Sequence, residues 1–120
     1  MIITLKGRIP SKKNSRNIFC RGGKPVNTPN DKYKTWHEDC SWQLKKFKER
    51  PSRESGLTVY ITITAPDRLR GDLSNKAESI MDLLVDNGFI IDDNWFVVET
   101  LTLMFGGVDK ENPGAVIEII

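Results

Sequence analysis

The sequence predicts an α+β domain in which a mixed β-sheet is covered on one face by two main helices. Segments with alternating apolar residues, typical of strands, occur near the start, in the middle and at the end of the chain. Two stretches in which apolar residues follow the helical repeat lie between them. With 120 residues, 38% of them hydrophobic, the chain can build one modest core. We therefore expect residues 1–120 to form a single domain.

The first half of the chain predicts a strand, a hairpin and a long helix. Alternating apolar residues indicate a strand at 1–9, ended by Pro10. Two adjacent glycines inside 18–26 indicate a short hairpin with a basic tip. Thr28 is a suitable N-cap for the first helix, which is expected to continue to about Arg50.

The second half predicts three further strands and one helix. A strand is expected at 57–64, and a helix at 74–86 is followed by an Asn-Gly pair that favours a left-handed C-cap. A long β-rich run at 95–105 is expected to stop at the two glycines that follow it. The last strand is expected at 115–120. The predicted order is therefore β, hairpin, α, β, α, β, β.

Composition argues against a membrane or secreted protein. The first six residues meet charge too early for a signal peptide, and no stretch approaches the roughly 20 apolar residues of a membrane span. Cys20 and Cys40 have no metal-binding spacing and are expected to be ordinary thiols. Neither a glycine-rich phosphate loop nor a Ser/His/Asp or Cys/His set is visible. We expect a cytoplasmic protein without membrane contact.

Charge is divided unequally along the chain although the net charge is only +2. Residues 1–53 contain 14 Lys and Arg against 4 Asp and Glu, whereas residues 54–120 contain 4 against 12. One interpretation is that solvated helix faces happen to be basic early and acidic late. The other interpretation is that the first half of the chain binds a polyanion while the second half supplies metal ligands.

Carboxylates surround the second predicted helix. Asp72 stands at its start, Glu78 and Asp82 lie one turn apart on a flank beside the apolar stripe, and Asp93 follows the helix. Hard cations such as Mg²⁺ prefer oxygen ligands, commonly one or two carboxylates together with a substrate phosphate. Carboxylates beside upstream arginines are typical of a metal-dependent nuclease. Asp72 and Asp93 are the leading metal-ligand candidates.

A purely structural interpretation stays open for these residues. Asp72 can serve simply as a helix cap, and residues 92–94 as a turn before a strand. Under that interpretation the chain is a small interaction domain whose acidic helix is a solvated face.

The residues together resemble the RusA-type Holliday junction resolvases, small endodeoxyribonucleases common in phages and prophages. The resemblance extends over most of the chain. Its motifs are Asp72-x-x-Asn75 opening a helix, Asp82 within it, Asp92-Asp93 before a strand, Pro10-Ser11-x-x-Asn14 after the first strand, Tyr33 early in the first helix, and Pro66-Asp67-Arg68.

This resemblance implies a homodimer that binds four-way DNA junctions and nicks two strands symmetrically with Mg²⁺, or with Mn²⁺ as a substitute, in DNA recombination and repair. Members of that family have catalytic aspartates at the positions of Asp72, Ser74 and Asp93 and a functional lysine at the position of Glu78. We expect Asp92 to be a further metal ligand. Ser74 and Glu78 depart from that pattern. Because they lie one turn apart, we expect Glu78 to supply the carboxylate that is absent at Ser74; the alternative is a weakened or inactive junction-binding protein. Asn75 and Asp82 are expected to support the site.

Seven basic residues and one asparagine form the expected DNA-contacting set. They are Lys12, Lys13, Asn14, Arg16, Arg21, Lys24, Arg68 and Arg70. Tyr33, Trp36, Trp42 and Trp95 are candidates either for stacking on bases or for the core. For His37 a structural role beside the core is expected rather than general-base catalysis.

Overall fold

The described part of the chain contains eight helices and strands, which follow one another in the order that the sequence predicted. The computed structural model describes residues 1–11, 16–21, 24–29 and 31–120, with side chains for 1–11 and 31–120. In chain order the elements are β1 (Ile2–Lys6), β2 (Arg16–Arg21), β3 (Lys24–Pro29), α1 (Asp31–Leu44), β4 (Leu57–Ala65), α2 (Leu73–Asp86), β5 (Val98–Val108) and β6 (Gly114–Ile119). The expected hairpin is confirmed, since β2 and β3 pair antiparallel with Arg21 opposite Lys24.

The main sheet is mixed, as expected. Its strand order is β1-β6-β4-β5, in which β6 pairs antiparallel with both β1 and β4 while β4 and β5 run parallel. Leu57, Val59, Ile61 and Ile63 of β4 are buried, whereas the residues between them are half-buried. The same alternation along β6 leaves Val116 on the uncovered face. Both helices therefore pack on one face, which confirms the predicted α+β class.

Helix α2 begins and ends through local hydrogen bonds that the sequence anticipated. Asp72 is its N-cap and accepts a hydrogen bond from the backbone N–H of Ser74 at 3.0 Å. At the other end Gly88 has a φ of +75°. Its N–H donates to the carbonyl of Val85 and that of Phe89 to the carbonyl of Leu84, the pattern of a Schellman motif. The helix therefore spans a defined length, with Asp72 held at its first turn.

Helix α1 is shorter than predicted at both ends. Thr28 lies in β3 rather than capping the helix, which begins at Asp31. The C-terminal prediction of Arg50 was wrong as well, because the helix ends at Leu44. Beyond it the N–H of Phe47 donates to Leu44 three residues back, which tightens the chain into a turn. That turn lets Phe47 pack against the core although the apolar repeat continues past the helix.

Strand β5 differs from its prediction because it continues through two glycines. The register against β4 shifts between Ile63 and Ala65, so Gly106 and Gly107 form an irregularity inside the strand rather than its end. Gly107 has a φ of +96°, a conformation that L side chains rarely adopt. At its other end the strand starts only at Val98, because a turn precedes it.

Neither α1 nor α2 has the length and apolar character of a membrane-spanning helix, and this holds for the described residues as a whole.

Candidate functional site

The start of α2 presents an exposed carboxylate held in a fixed place. Asp72 Oδ1 accepts the Ser74 N–H at 3.0 Å and the Ser74 hydroxyl at 2.7 Å. Ser74 is therefore a neighbour that donates to Asp72, although it has no carboxylate of its own. Asn75 lies half-buried in the same turn. The cap interpretation and the metal-ligand interpretation both remain compatible with this geometry, since one carboxylate can do both.

Four basic side chains surround this helix start. Arg68 and Arg70 are exposed on the loop that leads into Asp72, as the nuclease hypothesis requires. Arg8 forms an ion pair with Asp67. Lys76 lies over Gly71, so closely that a Cβ at Gly71 would sit 2.6 Å from the Lys76 Cε atom. Positive charge is thus concentrated where a DNA phosphate would approach Asp72.

Helix α2 also fixes the segment that precedes the basic stretch 12–16. Lys76 Nζ donates to the carbonyl of Ile9 at 2.8 Å, and the buried Ser79 hydroxyl donates to that of Pro10 at 2.7 Å. Burial, and secondarily the nearby Arg8, lowers the pKa of Lys76, while Asp67 acts in the opposite direction. The two bonds anchor the start of the Pro10-Ser11 motif against the candidate site.

Residues 92–94 form a turn whose hydrogen bonds use both oxygens of Asp92. The Asp93 N–H donates to Asp92 Oδ1 at 2.7 Å and the Asn94 amide donates to Asp92 Oδ2 at 2.9 Å. Both hydrogen bonds lower the pKa of Asp92, and the one from the backbone N–H of Asp93 has the larger effect. Asn94 in turn accepts the N–H groups of Phe96 and Val97 through its side chain. Asp92 therefore organises the turn that presents the exposed Asp93.

The structure places Asp72 and Asp93 toward opposite ends of α2. The helix has 14 residues and Asp93 follows its far end, which corresponds to a length of about 21 Å. The turn containing Asp93 joins the start of β4, because Gly56 and Leu57 donate to the carbonyls of Phe96 and Val97. Asp72, by contrast, follows the end of β4. Within one chain the two carboxylates are not brought together.

Sequence reasoning missed a polar contact between the two helices. The Tyr33 hydroxyl donates to Asp82 Oδ2 at 2.9 Å, and His37 Nε2 lies 2.9 Å from Asp86 Oδ2. Among the described side chains, His37, Asp82 and Asp86 are the one group of three potential metal ligands with all ligand atoms within 4.8 Å of one another. The signal was present in the sequence, since Tyr33 and His37 are four residues apart on α1 and the two aspartates are four apart on α2. The His37 ring lies beside the core rings of Tyr33 and Trp36, and a structural role for it stays a prediction.

The remaining predicted contacts divide between the core, the surface and the undescribed side chains. Trp36 and Tyr33 are core residues, whereas Trp95 and Trp42 are exposed, with Lys45 Nζ lying 3.9 Å from the ring centre of Trp42. Glu78 is exposed on α2. Predictions for Lys12, Lys13 and Asn14 lie outside the described residues. For Arg16, Arg21 and Lys24 the backbone belongs to the β2–β3 hairpin, and their side chains lie outside the description.

A cavity of about 460 Å³ opens beside the start of α2. It lies where the parallel strands β4 and β5 end, beneath the loop 66–71, and Arg8, Leu73 and Lys76 complete its wall. In open sheets with parallel strands, ligands commonly bind outside the carboxyl ends of those strands. The cavity and Asp72 therefore belong to one surface region.

Comparison with known proteins agrees with the motif-based resemblance. No protein-family model matches the chain. The chain is 27% identical over 113 residues to the crossover junction endodeoxyribonuclease RusA of Aquifex aeolicus, an alignment that covers 93% of this chain and 85% of that protein. Similarity over almost the whole length confirms that the resemblance is not confined to the acidic motif.

Proposed function

From this resemblance to the RusA-type crossover junction endodeoxyribonucleases, we propose that the protein is a Mg²⁺-dependent endodeoxyribonuclease that resolves four-way DNA junctions by paired nicking. The observation that carries the proposal is the capped Asp72 carboxylate beside exposed arginines, in a chain that aligns with RusA over 93% of its residues. We propose that it acts in DNA recombination and repair and that it is a cytoplasmic protein.

The donor set fits a hard divalent cation. Asp72, Glu78 and Asp93 are all exposed and offer carboxylate oxygens, the ligands that Mg²⁺ prefers, and Mn²⁺ accepts the same donors. A bound ion of this kind polarises the scissile phosphodiester and favours formation of a hydroxide nucleophile. This chain's own contribution is to fix Asp72 through the helix cap, to orient Asp93 through Asp92, and to hold the DNA backbone with Arg68 and Arg70.

The placement of the carboxylates supports a homodimer, which we propose as the active form. Since Asp72 and Asp93 lie toward opposite ends of α2, a site that uses both requires Asp72 from one copy and Asp93 from another. A two-fold dimer creates two such sites, which is the number that paired nicks need. Exposed apolar side chains near Asp93, among them Trp95 and Phe96, give a second copy a surface to bury.

Glu78 is proposed to replace the carboxylate that Ser74 does not provide. The two positions lie one turn apart on the exposed flank of α2, four residues from each other. Asp82, which accepts a hydrogen bond from Tyr33, is proposed to support the site rather than to be one of these ligands. This arrangement leaves Asp72 and Glu78 of one chain as oxygen donors on the same helix.

A labelled four-way junction tests the proposal directly. With Mg²⁺ we expect two symmetric nicks, and with EDTA we expect binding without nicking. Binding that never leads to nicking in Mg²⁺ or Mn²⁺ would identify a junction-binding protein without nuclease activity. If the protein neither binds nor cuts the junction, an interaction domain with a solvated acidic helix is the remaining interpretation.

Single carboxylate variants test the ligand assignment. Glu78→Gln and Asp93→Asn should each abolish Mg²⁺-dependent nicking while junction binding stays nearly unchanged. Glu111→Gln, an exposed position in the turn before β6, is the matched control and should cut normally. Full cleavage by Glu78→Gln would remove the compensation hypothesis. A mixed dimer tests whether each site is shared between two chains. When one chain carries Asp72→Asn and the other carries Asp93→Asn, one of the two sites keeps both aspartates and should cut. A dimer in which both chains carry the same substitution should have no active site.

The basic residues are tested by the salt dependence of binding. Replacing both Lys12 and Lys13 by Ala should weaken junction binding regardless of sequence and should flatten its dependence on salt concentration, because fewer counterions are released. An unchanged affinity and an unchanged salt slope would exclude these two residues from the DNA contact.

A further inference from the structure

We propose that the cavity at the carboxyl ends of β4 and β5 binds one unstacked nucleotide of the DNA, next to the phosphate that is cut. This inference rests on the proposed function and adds a binding site for a base that the acidic motif does not include.

Apolar side chains form the floor and wall of the cavity. Ile63 and Leu73 lie at its base, and Phe105 and Val108 line it from β5. Phe105 is 59% exposed and Val108 is 43% exposed, so large apolar surfaces face the cleft instead of the core. With a volume of about 460 Å³ the cavity has room for a flat heterocycle together with its sugar. The faces of a nucleobase are apolar and stack readily on an aromatic ring such as Phe105.

The rim of the cavity carries the charge that a nucleotide needs. Arg68, Arg70 and Lys76 are all among its lining residues. Asp67 is the one acidic residue in the lining, and its charge is compensated by the ion pair with Arg8. An apolar interior under a cationic rim complements a base with its phosphate, whereas an uncharged apolar ligand would make no use of the positive charge at the rim.

The cavity adjoins the candidate catalytic residue. Gly71 lines it, and the next residue along the chain is Asp72. A nucleotide seated in the cavity would therefore have its neighbouring phosphate at the start of α2. A base that is paired and stacked inside a duplex cannot enter such a cavity, whereas a base at a branch point is more easily unstacked. The cavity thus gives the protein a way to prefer branched DNA over an intact duplex.

The test uses four-way junctions in which 2-aminopurine replaces single bases around the branch point, in EDTA so that no strand is cut. Binding of the unaltered protein should increase the fluorescence strongly at one position, as the probe leaves the stack. Phe105→Ala should abolish that increase and weaken junction binding by about tenfold, the loss expected for one base–aromatic stack. Met104→Ala is the matched control, since it is the preceding residue of β5, is similarly exposed at 47%, and is absent from the cavity lining.

Val108→Glu is a second variant, which places a negative charge at the cavity wall. Because the side chain is exposed, the fold should persist, and the fluorescence increase should again disappear. Tight junction binding without an increase at any probe position would overturn the nucleotide site while leaving the proposed function intact. The same conclusion would follow if Phe105→Ala and Met104→Ala behaved alike.

Free deoxynucleoside monophosphates separate this site from the proposed function. In a ¹H–¹⁵N NMR titration they should shift the amide signals of Gly71 and Phe105, which line the cavity, in the unaltered protein and not in Val108→Glu. If the junction is neither bound nor cut but these shifts occur, the proposed function fails and the nucleotide site stands. If the amide signals do not move and no probe responds, the nucleotide site itself is wrong.

Discussion

Asp72 has two roles that can be separated by experiment. As the N-cap of α2 its Oδ1 atom accepts the Ser74 N–H at 3.0 Å, and as a proposed metal ligand it needs its negative charge. Asn retains the capping oxygen but not the charge, whereas Ala retains neither. Asp72→Asn should lower the free energy of unfolding by only about 0.5 kcal/mol, the loss of a charge at a helix N-terminus. Asp72→Ala should lower it by about 1–2 kcal/mol in total.

Two assays on the same variants distinguish the roles. For a chain of this size, 1 kcal/mol corresponds to a change of about 4 °C in Tm. We therefore expect a decrease of about 2 °C for Asp72→Asn and of about 4–8 °C for Asp72→Ala by differential scanning calorimetry. Mg²⁺-dependent nicking should be lost in both variants. Nicking by Asp72→Asn at the unaltered rate would refute the metal-ligand role, and equal Tm values for the two variants would refute the capping role.

Three further predictions concern the core and the helix contact. Burial, with a smaller contribution from Asp39, raises the pKa of Cys40 to about 12, so its thiol should resist alkylation at pH 8 in the folded protein and react in denaturant, as read by peptide mass mapping. Ile61→Ala should lower the free energy of unfolding by about 2–5 kcal/mol in urea titrations, whereas the half-buried Thr62→Ala should cost much less. Tyr33→Phe removes the hydrogen bond to Asp82 and should cost about 1 kcal/mol; an unchanged midpoint would show that this bond contributes nothing.

The sequence was most informative where local interactions decide the structure. The C-cap of α2 was predicted from an Asn-Gly pair, and the structure has Gly88 at a positive φ with both Schellman hydrogen bonds. Asp72 was recognised as a helix start for the same reason. The strand at β4 was evident because one buried face alternates with a more exposed one along its length.

Predictions failed where tertiary contacts overrule a local pattern. The apolar repeat of α1 continues to Phe47, but the chain leaves the helix at Leu44 and reaches the core through a turn. Gly106 and Gly107 suggested a strand end, whereas pairing with β4 carries β5 past them. The separation of Asp72 from Asp93 depends on β4 and β5 running parallel, with α2 crossing back between them, and no local signal specifies that pairing. For the same reason the cavity beside α2 could not be anticipated.

The pairing of β1 with β6 has a consequence for how the chain acquires its structure. Ile2 faces Glu118 and Lys6 faces Gly114, so β1 pairs with β6, the described strand that lies farthest from it along the chain. Contacts between residues so distant in sequence form slowly, because a long loop must close before they contribute. The β1 edge that pairs with β6 therefore stays unpaired until β6 has been synthesised and reaches it. Until then its exposed backbone groups are open to association with other nascent chains.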